Sequence, residues 1–305
     1  MIIRAENLVK DYGSVRAIDN LSFTIDKGEI FGFIGPDGAG KTTLFRILTS
    51  LVMPDSGMAW LDGLDVVRDF RKVRSIVGYM PGQFSLYSDL TVEENLGFFA
   101  TVFGTSIEEN YHLIRDIYIQ IEPYKKRLAG RLSGGMKQKL ALSCALIHEP
   151  KILILDEPTT GVDAVSRREF WELLKGLKER GITILVSTPY MDEANLCDRI
   201  ALIQKGKILM VDKPEEVVHS LETEILSIQS DNLYQLLTDL RNYPETYSVF
   251  PFGQDLHFTC RSKSTDMDKL KNYLQQKGHL NLLIKKITPG VEDVFMRLME
   301  EERIE

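Results

Sequence analysis

Gly35-Pro36-Asp37-Gly38-Ala39-Gly40-Lys41-Thr42-Thr43 brings glycines, a lysine and two adjacent hydroxyls into one short stretch, a set suited to holding a polyanion. Glycines at 35, 38 and 40 let the backbone curl until successive N–H groups point at one spot, a concave donor surface for phosphate oxygens. The helix that opens near Lys41 adds the positive end of its dipole. Lys41 reaches the β- and γ-phosphates as a mobile point charge, and the Thr42 hydroxyl is placed to ligate Mg²⁺. The pattern is Gly, four residues, Gly-Lys-Ser/Thr, and its competitor is a glycine-rich turn before an ordinary helix. The flanks favour the phosphate loop: the apolar run Ile30 to Ile34 suits a buried strand, and Leu44 to Leu51 has a helical pattern. By itself the loop says only that a nucleoside triphosphate binds.

Two further constellations fit the same chemistry. Ile152-Leu153-Ile154-Leu155 is a continuous apolar strand ending in Asp156-Glu157. Buried on both faces, such a strand delivers its carboxylates to the carboxyl edge of a parallel sheet, beside the phosphate loop. Asp156 suits the outer shell of Mg²⁺, and Glu157 can take a proton from an attacking water. The bland alternative, a strand that merely ends in acids, is disfavoured by Lys41 and Thr42 upstream. Leu132-Ser133-Gly134-Gly135-Met136 opens a helix that carries Met136, Leu140, Cys144 and Ile147 on one face. Its serine and glycines at a helix start form a second anion-binding device. If both devices hold phosphate, the second serves a nucleotide held by another copy. Tyr12, in a turn at Asp11-Tyr12-Gly13, can stack on a purine ring, although a turn tyrosine taken alone is usually packing.

A chain of 305 residues predicts two domains, because a single core usually stops growing near ~250 residues. Its 44% hydrophobic and 27% charged residues describe an ordinary soluble protein. No apolar run reaches the ~18 residues that cross a bilayer and no signal-peptide pattern opens the chain, so a cytosolic location is expected. A net charge of −7 without a basic stripe argues against nucleic acid and against direct binding to anionic lipid. Membrane association is therefore expected to run through a protein partner. Cys144, Cys197 and Cys260 fall in no metal-ligand spacing and read as buried structural thiols.

The elements that must position these groups follow from pattern. The opening alternates Ile3, Ala5, Leu8 and then Leu21, Phe23, Ile25 as antiparallel strands. Strands are expected at Met58 to Leu61 and Val77 to Met80. Thr91 with Glu94, and Ser106 with Glu109, are capping boxes that start helices running to about Phe103 and Ile121. No strand signal follows until residue 152, so a helical lobe on an α/β core is expected. Helix Ser166 to Arg180, strand Ile182 to Ser187, a short helix around Met191 to Leu196, strand Arg199 to Gln204 and a hairpin to Met210 complete an α/β domain. The composition shifts at Asp212-Lys213-Pro214, and the order from about residue 223 reads βαββαβ and a terminal helix, a small ferredoxin-like α+β domain with no catalytic constellation.

Taken together, these residues resemble the ATP-binding cassette (ABC) ATPases, the cytosolic motor subunits of membrane transporters, over about residues 1–220 with a helical lobe at about 84–148. Gly35 to Thr43 matches the Walker A loop, Ile152 to Glu157 the Walker B strand with its catalytic glutamate, and Tyr12 the adenine-stacking aromatic. Leu132 to Met136 matches the family signature, the most diagnostic segment, and Gly161-Val162-Asp163 resembles the D-loop that crosses between subunits. Tyr87 with Asp89 to Asn95, and Tyr190-Met191-Asp192-Glu193-Ala194, resemble the branch serving ABC-2 type exporters of drugs and sodium, whose members often carry a C-terminal extension; residues 221–305, with Glu292 to Phe295, resemble it. The resemblance implies a P-loop NTPase core with an antiparallel β subdomain, the cofactors ATP and Mg²⁺, and catalysis by Glu157 and Lys41. It implies nucleotide contacts from Tyr12, Gly35, Asp37, Gly38, Ala39, Gly40, Lys41, Thr42, Thr43, Gln83, Ser133, Gly134, Gly135 and Asp163, and metal contacts from Thr42, Asp156 and Gln83. It also implies a second cassette, identical or not, paired head to tail, with separately encoded transmembrane permease subunits holding the pair at the cytosolic face of the membrane.

Three departures bear on activity. The family's Q-loop glutamine falls on Gly82, with Gln83 one place later, and a one-residue shift at a strand end reverses side-chain direction. The switch histidine is Pro189, which offers neither a ring N–H nor a backbone donor. Asp37 stands where asparagine is commoner, and its carboxylate is expected to turn back onto loop N–H groups. The leading expectation is an exporter ATPase with activity reduced by Pro189. The alternative is a weakened cassette acting as a nucleotide-gated module beside an active partner. A soluble ABC ATPase of translation or DNA repair fits less well, since the chain has one cassette and neither a coiled-coil insertion nor a basic surface.

Overall fold

The computed structural model describes residues 1–221, 223–262 and 265–304, with side-chain surroundings described as far as Glu301. The chain divides into two compact units, Met1–Lys213 and Pro214–Glu305. Helix Pro214–His219 thus groups with the second unit.

In the first unit β1 (Ile3–Tyr12) and β2 (Val15–Ile25) form the expected hairpin, followed by β3 (Ile30–Ile34), α1 (Lys41–Leu48), β4 (Ser56–Leu61), β5 (Leu64–Asp65), α2 (Phe70–Ile76) and β6 (Val77–Met80). Next come α3 (Val92–Val102), α4 (Ile107–Tyr118), α5 (Gly134–Leu146), β7 (Ile152–Asp156), α6 (Ala164–Glu179), β8 (Thr183–Thr188), β9 (Arg199–Gln204) and β10 (Lys207–Asp212). Two sheets result. One has the order β2-β1-β4-β5 and is antiparallel; the other has the order β10-β9-β3-β8-β7-β6, parallel except for the edge strand β10. The central strands β3, β7 and β8 are buried along their whole length, as helices or a second sheet on both faces require.

One apolar core joins the two sheets through α1. Phe33 of β3 meets Phe23 of the antiparallel sheet edge-on at 5.1 Å and Phe45 of α1 at 5.8 Å between ring centroids, a geometry that aligns ring edges with ring faces. Both capping boxes are present: Thr91 and Ser106 each accept from the backbone of Glu94 and Glu109 while those glutamates return to the cap N–H. Helices α3 and α4 therefore start at their expected residues. Tyr12 closes β1 instead of sitting in the turn, which falls on Gly13 and Ser14. The seven-residue helix α2 carries too few turns to show a period in the sequence.

The second unit begins with α7 (Pro214–His219) and continues β11 (Ile225–Gln229), α8 (Leu233–Arg241), β12 (Thr246–Phe252), β13 (Asp255–Cys260), α9 (Met267–Gln276), β14 (Leu283–Ile287) and α10 (Val291–Ile304). Its antiparallel sheet has the order β12-β13-β11-β14, the ferredoxin-like arrangement, with Leu236 and Leu240 of α8 and Leu270 and Leu274 of α9 packed against Leu226, Ile228 and Phe258. Among the described residues no helix is long and apolar enough to cross a membrane.

Because Phe33 lies between both sheets and α1, Phe33→Ala is expected to destabilise the first unit by ~3–5 kcal/mol, seen as a lower urea midpoint. A shift equivalent to less than ~1 kcal/mol would show that the aromatic cluster does not hold the loop-bearing strand.

Candidate active site

Strand register brings the chemistry together. In the parallel ladder Ile34 stands opposite Thr188, and Asp156 stands opposite Ser187. The carboxyl ends of β3, β8 and β7 therefore lie side by side, and the Gly35 N–H donates to Thr188 O at 3.3 Å.

The loop from Gly35 to Gly40 is pinned from outside by backbone. A Cβ on Gly35 would lie 2.1 Å from Ile203 O, and one on Gly40, whose φ is +105°, would lie 2.4 Å from Ala17 O. Gly38 also has a positive φ, +79°, but nothing within 4 Å of its Cβ position. The loop is thus crowded where it meets β2 and β9 and open at Gly38. The hairpin glycine Gly206 donates its N–H to Ala39 O at 2.9 Å and fixes the loop's far side.

Lys41 opens α1 and is 3% exposed. Its Nζ donates to Gly35 O at 2.7 Å and Pro36 O at 3.1 Å, and lies 3.3 Å from Glu157 Oε1. A buried ammonium is retained only with such partners. Thr42 and Thr43 follow in the first helical turn. Asp37 is exposed and, among the described residues, accepts no hydrogen bond from the loop, contrary to the expected turn-back of its carboxylate. Exposure explains the difference, since water solvates the charge without N–H partners.

Asp156 is 2% exposed, and the Ser187 hydroxyl donates to its Oδ1 at 2.6 Å. The Glu157 N–H in turn donates to Ser187 Oγ at 2.9 Å and to Ser187 O at 3.1 Å, while Glu157 itself adopts φ +49°. The left-handed turn swings the glutamate out of strand alternation and toward Lys41. Non-glycine residues in this region are uncommon and cluster where structure over-determines them. Tyr79, next to this corner, has its phenol pushed up to about 12, first by burial and then by the Asp156 charge.

The other expected residues are spread around this edge. Tyr12 is 46% exposed, with Lys10 Nζ 5.6 Å from its ring centroid. Gly82 approaches the acidic corner closely: a Cβ there would lie 3.1 Å from Asp156 O. Gln83 is exposed, and both residues lie in the loop after β6, so strand alternation does not govern which way Gln83 turns. Ser133 caps α5 by accepting from Met136 N, and a Cβ on Gly135 would lie 2.7 Å from Ser166 Oγ. The signature segment is thus seated against the start of α6; among the described residues no hydrogen bond joins it to Gly35–Thr43. Asp163 caps α6 with Oδ1 on the N–H groups of Val165 and Ser166, and Ser166 donors hold its carboxyl below the usual range. Pro189 follows β8 directly. Cys144, Cys197 and Cys260 are free and buried, and burial pushes the Cys144 and Cys197 thiols up.

Two residues to which the sequence reading gives no role of their own complete the corner. Ser187 links Asp156 to Glu157, and Glu193, 1% exposed, accepts from Thr159 Oγ1 at 2.8 Å and Thr188 Oγ1 at 2.6 Å. The only sequence signal for Ser187 is its place opposite the acidic strand end; Glu193 lies in the segment Tyr190 to Ala194 that resembles the exporter branch, but its contacts with Thr159 and Thr188 are not readable there.

A phosphate loop between β3 and α1, an acidic strand end beside it and a serine-glycine-glycine helix start define a cassette-type nucleotide-binding protein. The family described as ABC transporter matches residues 18–160. The chain is 36% identical over 304 residues to a Nod factor export ATP-binding protein I of Sinorhizobium fredii (strain NBRC 101917 / NGR234), covering 98% of this chain and 86% of that protein. It is 42% identical over 219 residues to the probable multidrug ABC transporter ATP-binding protein YbhF of Escherichia coli (strain K12), covering 71% of this chain but 38% of that relative's length. A solved dimeric ATP-binding cassette in a post-hydrolysis state with ADP and Pi superposes with a TM-score of 0.63 at 27% identity, over 70% of this chain and 98% of that one. The chain belongs to the ABC transporter family, as an ATP-binding cassette.

The loop geometry separates two neighbouring glycines. Gly38→Ala is expected to cost only the left-handed strain, ~1–2 kcal/mol, whereas Gly40→Ala adds a collision with Ala17 O and costs clearly more. Thermal unfolding of both variants tests this order, and equal losses would contradict it.

Proposed function

We propose that the chain is the ATP-hydrolysing subunit of an ABC-type exporter. Two cassettes enclose two ATP molecules, each between one copy's Gly35–Thr43 loop and the other copy's Ser133-Gly134-Gly135. Closure and reopening of that pair drive separately encoded permease subunits at the cytosolic face of the membrane, with the helical lobe transmitting the motion. The observation that carries this reading is the single sheet edge where Lys41 lies 3.3 Å from Glu157 and Ser187 2.6 Å from Asp156. The dimeric solved cassette supports the pairing, and the relatives named for multidrug and Nod factor export support the export role.

Loop N–H groups and Lys41 bind the phosphate oxygens, and Lys41 exchanges the Gly35 and Pro36 carbonyls for them. That exchange loosens the ion pair on Glu157. Its carboxylate then accepts a proton from the water that attacks the γ-phosphorus as the β–γ bridge breaks. Tyr12 offers its exposed ring to the base. Mg²⁺ fits the donors at this edge: the Thr42 hydroxyl and Asp156, whose Oδ1 is held by Ser187, suit a hard cation that keeps water and phosphate ligands. When bound, the ion neutralises phosphate charge. Gln83, in the exposed loop beside the acidic corner, is assigned to the same ligand set.

Pro189 removes one donor from the γ-phosphate, so turnover is expected to be slow. Glu157→Gln is expected to lower steady-state ATP turnover ~100-fold or more while ATP still binds; equal rates for the two proteins would overturn the enzymatic reading. Pro189→His is expected to raise turnover, and an unchanged rate would show that the missing donor is not limiting.

A further inference from the structure

Glu193 lies on the 3-10 helix Met191–Leu196, and its carboxylate is turned inward beneath the end of β8. One oxygen accepts from Thr188, the last residue of β8, and the other from Thr159, in the turn after β7. Thr188 Oγ1 also accepts from Tyr190 N at 3.0 Å, so the hydroxyl spans the chain on either side of Pro189. Arg167 Nε stands 3.9 Å from Glu193 Oε1 without a hydrogen-bond partner of its own, and the guanidinium covers the Tyr190 ring at 4.6 Å. A buried carboxylate carries a desolvation penalty that hydrophobic packing at the same spot would not. Two hydroxyls and a nearby guanidinium offset that cost only if their geometry is held.

The segment that Thr159 belongs to links the two halves of the proposed site. Thr160 Oγ1 reaches Glu157 Oε2 at 3.4 Å on one side, and Val162 N donates to Thr159 O at 3.2 Å on the other. A Cβ on Gly134 of the signature would lie 3.5 Å from Gly161 O. Ser187 already ties Asp156 and Glu157 to β8 from one face; the Glu193 carboxylate ties the following residues to β8 from the other.

We propose that Glu193 is a positioning residue: by bridging Thr188 and Thr159 it fixes residues 157–163 against the end of β8, orients Glu157, and does so without any donor from Pro189. The proposal rests on the reading of Glu157 as the base. The two Glu193 oxygens accept both hydroxyl protons, which Gln cannot do, because the amide nitrogen would face a hydroxyl that has lost its acceptor. Misplacement of a reacting group by ~1 Å costs up to ~100-fold in rate, so loosened clamps lower kcat more than KM.

The test compares Glu193→Gln, Thr159→Val and Thr159→Ser with the unmodified protein and with Glu157→Gln. ATP turnover and hydrogen–deuterium exchange are both followed. Glu193→Gln and Thr159→Val are expected to lower kcat about tenfold with KM for ATP within about twofold, while Thr159→Ser, which keeps the hydroxyl, retains the unmodified rate. Amides of residues 157–163 are expected to exchange faster in the first two variants, with the rest of the first unit unchanged. If the unmodified rate equals that of Glu157→Gln, the reading of Glu157 fails, and the exchange data alone judge the clamp. Unchanged exchange across 157–163 in Thr159→Val, or an unmodified kcat in both Thr159→Val and Glu193→Gln, overturns the proposal. Should Glu193→Gln unfold, Thr159→Val decides between the two outcomes by itself.

Discussion

A buried ammonium must be satisfied, and the way Lys41 is satisfied organises the sheet edge where β3, β8 and β7 end. Its partners are two carbonyls of its own loop and the carboxylate of Glu157. The carbonyls are within reach because glycines let the loop curl against Ile203 and Ala17. The carboxylate is within reach because Glu157 leaves β7 with a positive φ, held there by Ser187. In the proposed function phosphate oxygens take the place of these partners on Lys41.

Parallel register is what makes this possible at a distance in sequence. Residues 41, 156 and 187 are brought together because β3, β8 and β7 are neighbours whose ends are level. The aromatic cluster around Phe33 ties that edge to the antiparallel sheet that bears Tyr12. The signature serine and glycines, by contrast, are seated on α6 of the same chain, with no hydrogen bond to the loop among the described residues. The phosphate loop and the serine-glycine-glycine helix start thus lie on separate elements, the arrangement that the proposed shared site between two copies needs.

Local chemistry is legible in the sequence and long-range packing is not. The phosphate loop, the acidic strand end and both capping boxes announce themselves because their function depends on residues a few positions apart. The βαββαβ order of the second unit is readable for the same reason: each short element carries its own period and turn. The contacts of Ser187 and Glu193 are not, since Ser187 meets Asp156 and Glu157 about thirty residues away at the adjacent strand end, and Glu193 meets Thr159, 34 residues away, in the turn that follows it. Asp37 departs from its expected turn-back because its exposure, which removes any need for loop donors, is set by surrounding structure. Strand alternation does not decide the direction of Gln83 either, because β6 ends at Met80 and a loop follows.

The most direct test of the shared site is sedimentation velocity of the Glu157→Gln protein with saturating ATP and Mg²⁺. A species of twice the chain mass is expected, reverting to single chains when nucleotide is removed. A single-chain species throughout, with ATP demonstrably bound, would contradict it.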